Sequence, residues 1–122
     1  MLSHRSLLKS FTYSFEGLIQ AIRQNQNLRI HMAIAVVVII LGLVLKVSPF
    51  GMGILAVLIL LVIMAEMVNT ALEEMVDLIV TEHRRQAKIA KDVASGMVLV
   101  AAIGSAVVGA FIFLPHVLKL LG

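Results

Sequence analysis

The sequence lacks cysteine altogether, and only 14% of its 122 residues are charged. Without cysteine the protein has neither disulfide bonds nor thiol chemistry. Soluble domains contain about 25% charged and about 45–50% apolar residues, whereas 61% of this chain is hydrophobic and its mean hydropathy is +1.06. Because a core of this size cannot bury so many apolar side chains, we predict an integral membrane protein.

Charge is missing from two long stretches, since residues 47–65 and 93–114 contain no Asp, Glu, Lys or Arg. Of the ten Lys and Arg, four lie at or before the start of the first apolar run and four lie in residues 81–91. These are Arg5, Lys9, Arg23 and Arg29, followed by Arg84, Arg85, Lys88 and Lys91. The positive-inside rule predicts a cytoplasmic N-terminus, a cytoplasmic 81–91 loop and an external C-terminus. The N-terminal segment is too polar for a signal-peptide core, so we expect it to be retained.

The apolar pattern predicts an all-α integral membrane protein with a single domain over residues 1–122. The large apolar residues of segment 1–26 fall within an arc of about 120° on a helix, which predicts an amphipathic helix on the membrane surface. A stripe of small and polar residues lies between the apolar and the charged sides of this helix. A membrane anchor needs only two faces, so the third face suggests a further role. Three membrane spans are predicted at 28–47, 52–80 and 93–118, with an outer turn at 48–51.

The second predicted span carries polar side chains on one face. Asn69, Glu73 and Asp77 follow Glu66 by 3, 7 and 11 residues, and these spacings place them within about 60° of it. Glu66 lies about 21 Å from the outer end of a hydrocarbon core of about 30 Å, so the stripe begins in lipid and ends in water. Hydrogen bonding between helices could explain one such residue. Repelling carboxylates on one stripe instead favour a bound divalent cation such as Mg²⁺.

This arrangement suits phosphoryl transfer to a lipid alcohol. A carboxylate at the inner membrane edge can accept the proton of a headgroup hydroxyl, while carboxylates nearer the cytoplasm hold Mg²⁺ on a nucleotide phosphate. Lys88, Lys91 and the two arginines at 84–85 provide positive charge for those phosphates. The soluble nucleotide-binding patterns G-x-x-x-x-G-K-[ST] and G-x-G-x-x-G are absent, so the protein is not a kinase of a soluble fold.

The pattern Glu66-x-x-Asn69-Thr70-Ala71-x-Glu73-x-x-x-Asp77, with Ala90-Lys91-Asp92-x-x-Ser95 further on, resembles the bacterial three-span diacylglycerol and undecaprenol kinases. The resemblance covers nearly the whole chain. It implies a multi-pass homotrimer of the bacterial inner or plasma membrane, with active sites shared between subunits and with ATP, Mg²⁺ and a lipid alcohol as ligands. No nucleic acid is expected as a partner.

The resemblance also implies a role for each matching residue. Glu66 would be the general base, with Asn69 and Lys91 as further catalytic residues. Glu73 would bind Mg²⁺ on ATP. The nucleotide site would comprise Tyr13, Glu73, Asp77, Glu82, Lys91 and Asp92. The lipid substrate would meet Ser14, Glu66, Asn69 and Ser95.

One position departs from the family pattern. The family usually has a second metal-binding Glu just before the first span, and the aligned residue here is Asn25. An amide oxygen can coordinate Mg²⁺ but brings no charge, so we expect weaker metal binding. Glu16 cannot replace it, because nine residues of straight helix place Glu16 on the opposite side. The four histidines lack ligand spacing and are interpreted as interfacial residues.

The acceptor lipid is predicted from two segments, residues 87–92 and 111–115, which look more like the undecaprenol kinases than the diacylglycerol kinases. Two other functions compete with the kinase. A proton- or ion-conducting bundle could use Glu66 as a relay, but it should spread ionisable groups through the membrane depth. A structural membrane subunit could bind a partner helix through the polar stripe, but this leaves the basic segment unexplained. Transfer of phosphate from ATP into lipid separates the kinase from both.

Overall fold

The computed structural model describes residues 4–122, and this part of the chain folds into four helices. They are α1 (His4–Gln24), α2 (Gln26–Val44), α3 (Pro49–Ile79) and α4 (Arg85–Leu121). The first three residues of the predicted surface helix lie outside the described residues. The prediction of an all-helical protein is confirmed.

Three of these helices, α2, α3 and α4, are long and apolar enough to cross a membrane. Their 19, 31 and 37 residues correspond to about 29, 46 and 55 Å, against a hydrocarbon core of about 30 Å. The predicted three spans are thus present as helices, and α3 and α4 are long enough to extend beyond the lipid at the ends that join them.

A single residue, Asn25, separates α1 from α2. Its backbone is extended, with φ −107° and ψ 104°, and its Oδ1 accepts from the Leu28 amide at 3.2 Å. Asparagine is among the preferred N-cap residues because its short side chain satisfies an amide that the helix leaves unpaired. The first span therefore begins at Gln26, slightly before the predicted Leu28.

The C-terminal end of α1 is held by the first turns of α2. Arg29 Nη1 donates to the carbonyls of Ile22 and Arg23 at 2.8 and 2.7 Å. These carbonyls belong to the last turn of α1, where no helical amide follows to pair with them and where the helix dipole favours a cation. The Arg29 guanidinium therefore fixes the angle between α1 and α2.

The turn between α2 and α3 lies at residues 45–48, and the predicted turn at 48–51 is wrong. Lys46 adopts a left-handed φ of 58°. The amides of Lys46 and Val47 return to the carbonyls of Leu43 and Gly42 at 3.3 and 2.9 Å, which closes the helix. Ser48 Oγ then accepts from the Gly51 amide at 3.1 Å. Because proline is favoured in the first helical turn, Pro49 begins α3 rather than forming the turn.

The fourth helix begins at Arg85, earlier than the predicted start at Val93, so the predicted loop over 81–91 is also wrong in its extent. Residues 85–92 contain no glycine or proline, and alanine, lysine and arginine are strong helix formers. Lys88 Nζ lies 2.6 Å from Asp92 Oδ2, an ion pair at i, i+4 spacing that adds to helix stability. Lys88 and Lys91 consequently occupy fixed positions on a helix.

The packed core is small and centres on α3, which contacts both α2 and α4. Ser105 Oγ on α4 donates to the Leu58 carbonyl on α3 at 3.5 Å, and the small serine side chain allows the two helices to approach closely. The described residues expose 9394 Å², whereas a compact soluble protein of 13.2 kDa exposes about 6,400 Å². The excess surface is apolar and fits contact with lipid or other chains.

Candidate active site

The polar face of α3 runs from the buried core to the exposed end of the helix. Glu66 is 2% exposed and Asn69 is 8% exposed, whereas Glu73 and Asp77 are exposed. The same face of α3 therefore carries one buried carboxylate, Glu66, and two exposed ones, Glu73 and Asp77.

Two side chains from the start of the first span hold the carboxylate of Glu66. Asn25 Nδ2 donates to Oε2 at 2.9 Å, and His31 Nε2 lies 3.4 Å from Oε1. A buried carboxylate without partners is strongly destabilising, whereas hydrogen bonds offset much of its desolvation. Each oxygen of the Glu66 carboxylate therefore has one polar neighbour, and both neighbours lie at the start of α2.

The amide of Asn25 is fully used by its neighbours. Besides Glu66, its Nδ2 donates to Thr70 Oγ1 at 2.6 Å, while its Oδ1 caps α2 through the Leu28 amide. Thr70 Oγ1 donates in turn to the Glu66 carbonyl at 3.0 Å. The atom of Asn25 expected to bind a metal is thus engaged in the helix cap, so this geometry does not favour Asn25 as a metal ligand.

On the same face of α3, the side-chain oxygen of Asn69 has no hydrogen-bond partner among the described residues. Asn69 Nδ2 makes only a long contact of 3.5 Å to Glu73 Oε1, and Asn69 Oδ1 is buried without a hydrogen bond from any residue in 4–122. Leaving a buried acceptor unpaired costs about 1–3 kcal/mol. An orphan carbonyl oxygen one turn from a carboxylate is a site where a ligand or cation can restore the missing interaction.

The donor set is compatible with Mg²⁺ shared between protein and substrate. Within residues 4–122 no group of three His, Cys, Asp or Glu is close enough to hold a metal, so a cage made only of protein carboxylates is not present there. Mg²⁺ commonly takes one or two carboxylates together with substrate phosphates. Glu73 and the orphan oxygen of Asn69 fit that kind of site.

The ends of α3 and α4 that join at loop 80–84 bear charged residues around a cleft of about 400 Å³. Lys91 Nζ lies 2.5 Å from Asp77 Oδ1 and links the two helices. The cleft is lined by several polar residues from both helices and the loop, among them Asp77, Glu82, Arg84, Lys88, Lys91 and Asp92. The structure therefore brings together four of the predicted nucleotide-binding residues, Asp77, Glu82, Lys91 and Asp92.

Three predicted site residues lie apart from this face in the protomer. Tyr13 is 64% exposed on α1, and Ser14 Oγ donates to the Ser10 carbonyl of the same helix at 2.9 Å. Ser95 is exposed on α4. Within residues 4–122, no hydrogen bond joins these residues to Glu66, Asn69 or Glu73.

His31 is the site residue that sequence reasoning missed, because it was interpreted as interfacial. A depth comparison could have found it. Counting inward from the outer turn, His31 lies about 20 Å along α2 and Glu66 about 26 Å along α3. Two side chains together span this difference, so neighbouring antiparallel helices can bring them into contact. Thr70 was also missed as a neighbour of Glu66, although it follows by one helical turn.

Comparisons with known proteins identify the family of this chain. The model of the family described as prokaryotic diacylglycerol kinase matches residues 12–113. The chain is 41% identical over 117 residues to a diacylglycerol kinase of Synechocystis sp., a match that covers 95% of this chain and 67% of the relative. It is 39% identical over 107 residues to an undecaprenol kinase of Bacillus subtilis, with 88% of this chain and 87% of the relative covered. This helical membrane protein therefore belongs to the prokaryotic diacylglycerol kinase family, a family of lipid kinases.

Proposed function

We propose that the protein transfers the terminal phosphoryl group of ATP to the hydroxyl of a membrane lipid alcohol, with Mg²⁺ bound to the nucleotide. The observation that supports this most strongly is the α3 face, on which the buried carboxylate of Glu66 stands three residues before Asn69 and seven before Glu73. Such a face can meet a hydroxyl in the membrane and phosphates from the aqueous side.

Glu66 acts as the general base in this proposal. It takes the proton of the lipid hydroxyl as the hydroxyl oxygen attacks the terminal phosphorus. The bond from that phosphorus to the bridging oxygen breaks, and ADP leaves. A carboxylate that is 2% exposed is protected from competing water.

Glu73 would hold Mg²⁺ with the nucleotide phosphates, and the orphan oxygen of Asn69 would complete the contact. Bound Mg²⁺ would neutralise the charge that develops on the phosphoryl oxygens. Because Asn25 contributes no carboxylate, and because its oxygen caps α2, the protein supplies little negative charge to the metal. The nucleotide phosphates would therefore provide most of its ligands.

The nucleotide occupies the cleft at the joined ends of α3 and α4 in this proposal. Lys91 leaves its pairing with Asp77 to reach a phosphate, and Asp92 and Glu82 line the same cleft. The exchange costs little because an ion pair between solvent-accessible side chains is weak. Lys91 thus changes partner without loosening the fold.

The complete site is shared between subunits of a homotrimer. Tyr13, Ser14 and Ser95 are exposed on α1 and α4, and among the described residues no hydrogen bond joins them to the acidic face of α3. A neighbouring copy would bring Tyr13 to the nucleotide and Ser14 and Ser95 to the lipid. The same assembly would cover part of the large apolar surface, while the apolar side of α1 rests in the membrane interface.

The acceptor is undecaprenol rather than diacylglycerol in this proposal. The two named relatives match at similar identity, 41% and 39%, so overall similarity does not separate them. The preference rests on residues 87–92 and 111–115, which resemble the undecaprenol branch. Reaction takes place at the cytoplasmic face of the bacterial membrane, where the basic residues before α2 and at the start of α4 would lie.

The proposed reaction is tested by transfer of labelled phosphate from ATP in mixed micelles, with undecaprenol and diacylglycerol compared over a Mg²⁺ series. We expect label in lipid, with undecaprenol the better acceptor and with no transfer after chelation of the metal. Label only in diacylglycerol would overturn the acceptor assignment. No label in either lipid, with the oligomer intact, would overturn the proposed reaction.

A further inference from the structure

The two oxygens of Glu66 are held by side chains from different turns of α2. Asn25 caps the helix and donates to Oε2. His31 lies about 1.7 turns further along, with its Nε2 3.4 Å from Oε1. The His31 side chain is 23% exposed and that of Glu66 is 3% exposed. Within residues 4–122, Glu66 is the polar partner that the structure gives to the His31 ring.

The rotation that these contacts restrict is the last torsion of the glutamate side chain. This torsion joins an sp³ carbon to the planar carboxylate and has broad preferences, so the side chain does not fix it by itself. One donor would leave the plane of the carboxylate free to tilt. A second polar neighbour, 3.4 Å from the other oxygen, restricts this tilt further.

We propose that His31 is a positioning residue that, together with Asn25, orients the carboxylate of Glu66 toward the lipid hydroxyl. The inference rests on the proposed role of Glu66 as the base. His31 also lines an apolar groove of about 410 Å³ between the three long helices, whose other lining residues are apolar except Ser105. The imidazole therefore has few alternatives to the contact with Glu66.

Asparagine at position 25 contributes to the same orientation of the Glu66 carboxylate. An amide can donate to Glu66 and Thr70 at once, whereas a carboxylate at that position could donate to neither. Glu66 is thus oriented by one amide and one imidazole, both attached to the first half of α2. A displacement of the reacting groups by about 1 Å can lower the rate by about 100-fold.

The test compares His31→Ala and His31→Gln with the matched variant His116→Ala, all in the full-length protein in lipid micelles. His116 is a suitable control because its Nδ1 faces the Ile112 carbonyl of its own helix at 3.2 Å. We expect His31→Ala to lower kcat by about 10- to 100-fold with an unchanged KM for ATP. His31→Gln should recover part of that loss because its amide can donate to Glu66, and His116→Ala should match the wild type.

A second measurement covers the case in which His31→Ala does not fold. The imidazole ¹⁵N resonances of His31 should shift when Glu66→Gln is introduced, while those of His116 should not. An unchanged His31 spectrum, or a His31→Ala enzyme with wild-type kcat, would overturn the positioning role alone. A wild-type protein that phosphorylates no lipid would instead overturn the proposed reaction, and the role of His31 with it.

Discussion

Asn25 Nδ2 donates to Glu66 Oε2 at 2.9 Å, although the two residues are 41 positions apart in the sequence. The contact joins the break between α1 and α2 to the middle of α3, and it ends on a carboxylate that is almost completely buried. Its donor, Asn25, is the position at which the sequence resemblance predicts a metal-binding Glu. A carboxylate at position 25 could not donate this hydrogen bond, so the contact depends on the amide of Asn25.

Asn25→Glu is expected to change two properties of the enzyme in different directions. The added carboxylate should lower the Mg²⁺ concentration needed for half-maximal rate, because negative ligands strengthen Mg²⁺ binding. The lost donor should lower the maximal rate, because two carboxylates would then face each other. The Mg²⁺ requirement and the maximal rate are both measured from rates over a Mg²⁺ series. Gln20→Glu is the control, because Gln20 is exposed on α1 and does not line the pocket that contains Asn25 and Glu73. An unchanged Mg²⁺ dependence would mean that position 25 is not at the metal.

Lys91→Ala should weaken nucleotide binding without weakening the fold. Its pairing with Asp77 involves side chains that are 38% and 64% exposed, so its loss should have little effect on stability. We expect KM for ATP to rise by about 10-fold, the effect of losing roughly one charge-assisted hydrogen bond to a phosphate. Lys119→Ala at the other end of α4 should leave KM unchanged. A large fall in Tm with normal KM would assign Lys91 to structure rather than to the nucleotide.

Arg29→Ala should loosen the attachment of α1. The guanidinium holds the last carbonyls of α1, and a cation at a helix C-terminus contributes about 0.3–1 kcal/mol. Amide hydrogen exchange in residues 15–24 should therefore quicken, while exchange in α3 stays the same. Lys9→Ala removes an exposed charge from the same helix and should have little effect. If exchange in α1 does not change, the Arg29 contacts do not secure the helix.

Much of the architecture could be predicted from the sequence because few backbone structures can satisfy their hydrogen bonds within a lipid bilayer. An apolar run of sufficient length must form a helix to satisfy its backbone, so α2, α3 and α4 follow from composition alone. The 3.6-residue period places Glu66, Asn69, Glu73 and Asp77 on one face without knowledge of the fold. These features depend on local geometry, which a sequence contains directly.

The features that could not be predicted depend on tertiary geometry. The contacts of Glu66 with Asn25 and His31 require the depth and rotation of α2 against α3, which periodicity does not determine. The early start of α4 was missed because a basic segment was interpreted as a loop, although its residues favour a helix. The positions of Tyr13, Ser14 and Ser95 at a shared site require neighbouring copies and stay a prediction.

The most direct test of the account compares phosphate transfer to lipid by the wild type, Glu66→Gln and Glu74→Gln, with oligomeric state measured for all three. Glu66→Gln keeps the size of the side chain but removes the base, whereas Glu74 is an exposed carboxylate on the same helix. We expect an intact but inactive Glu66→Gln enzyme and a Glu74→Gln enzyme with activity close to that of the wild type. A folded Glu66→Gln enzyme that kept more than about a few per cent of wild-type activity would contradict it, since removal of a general base typically costs about 10²–10⁴-fold.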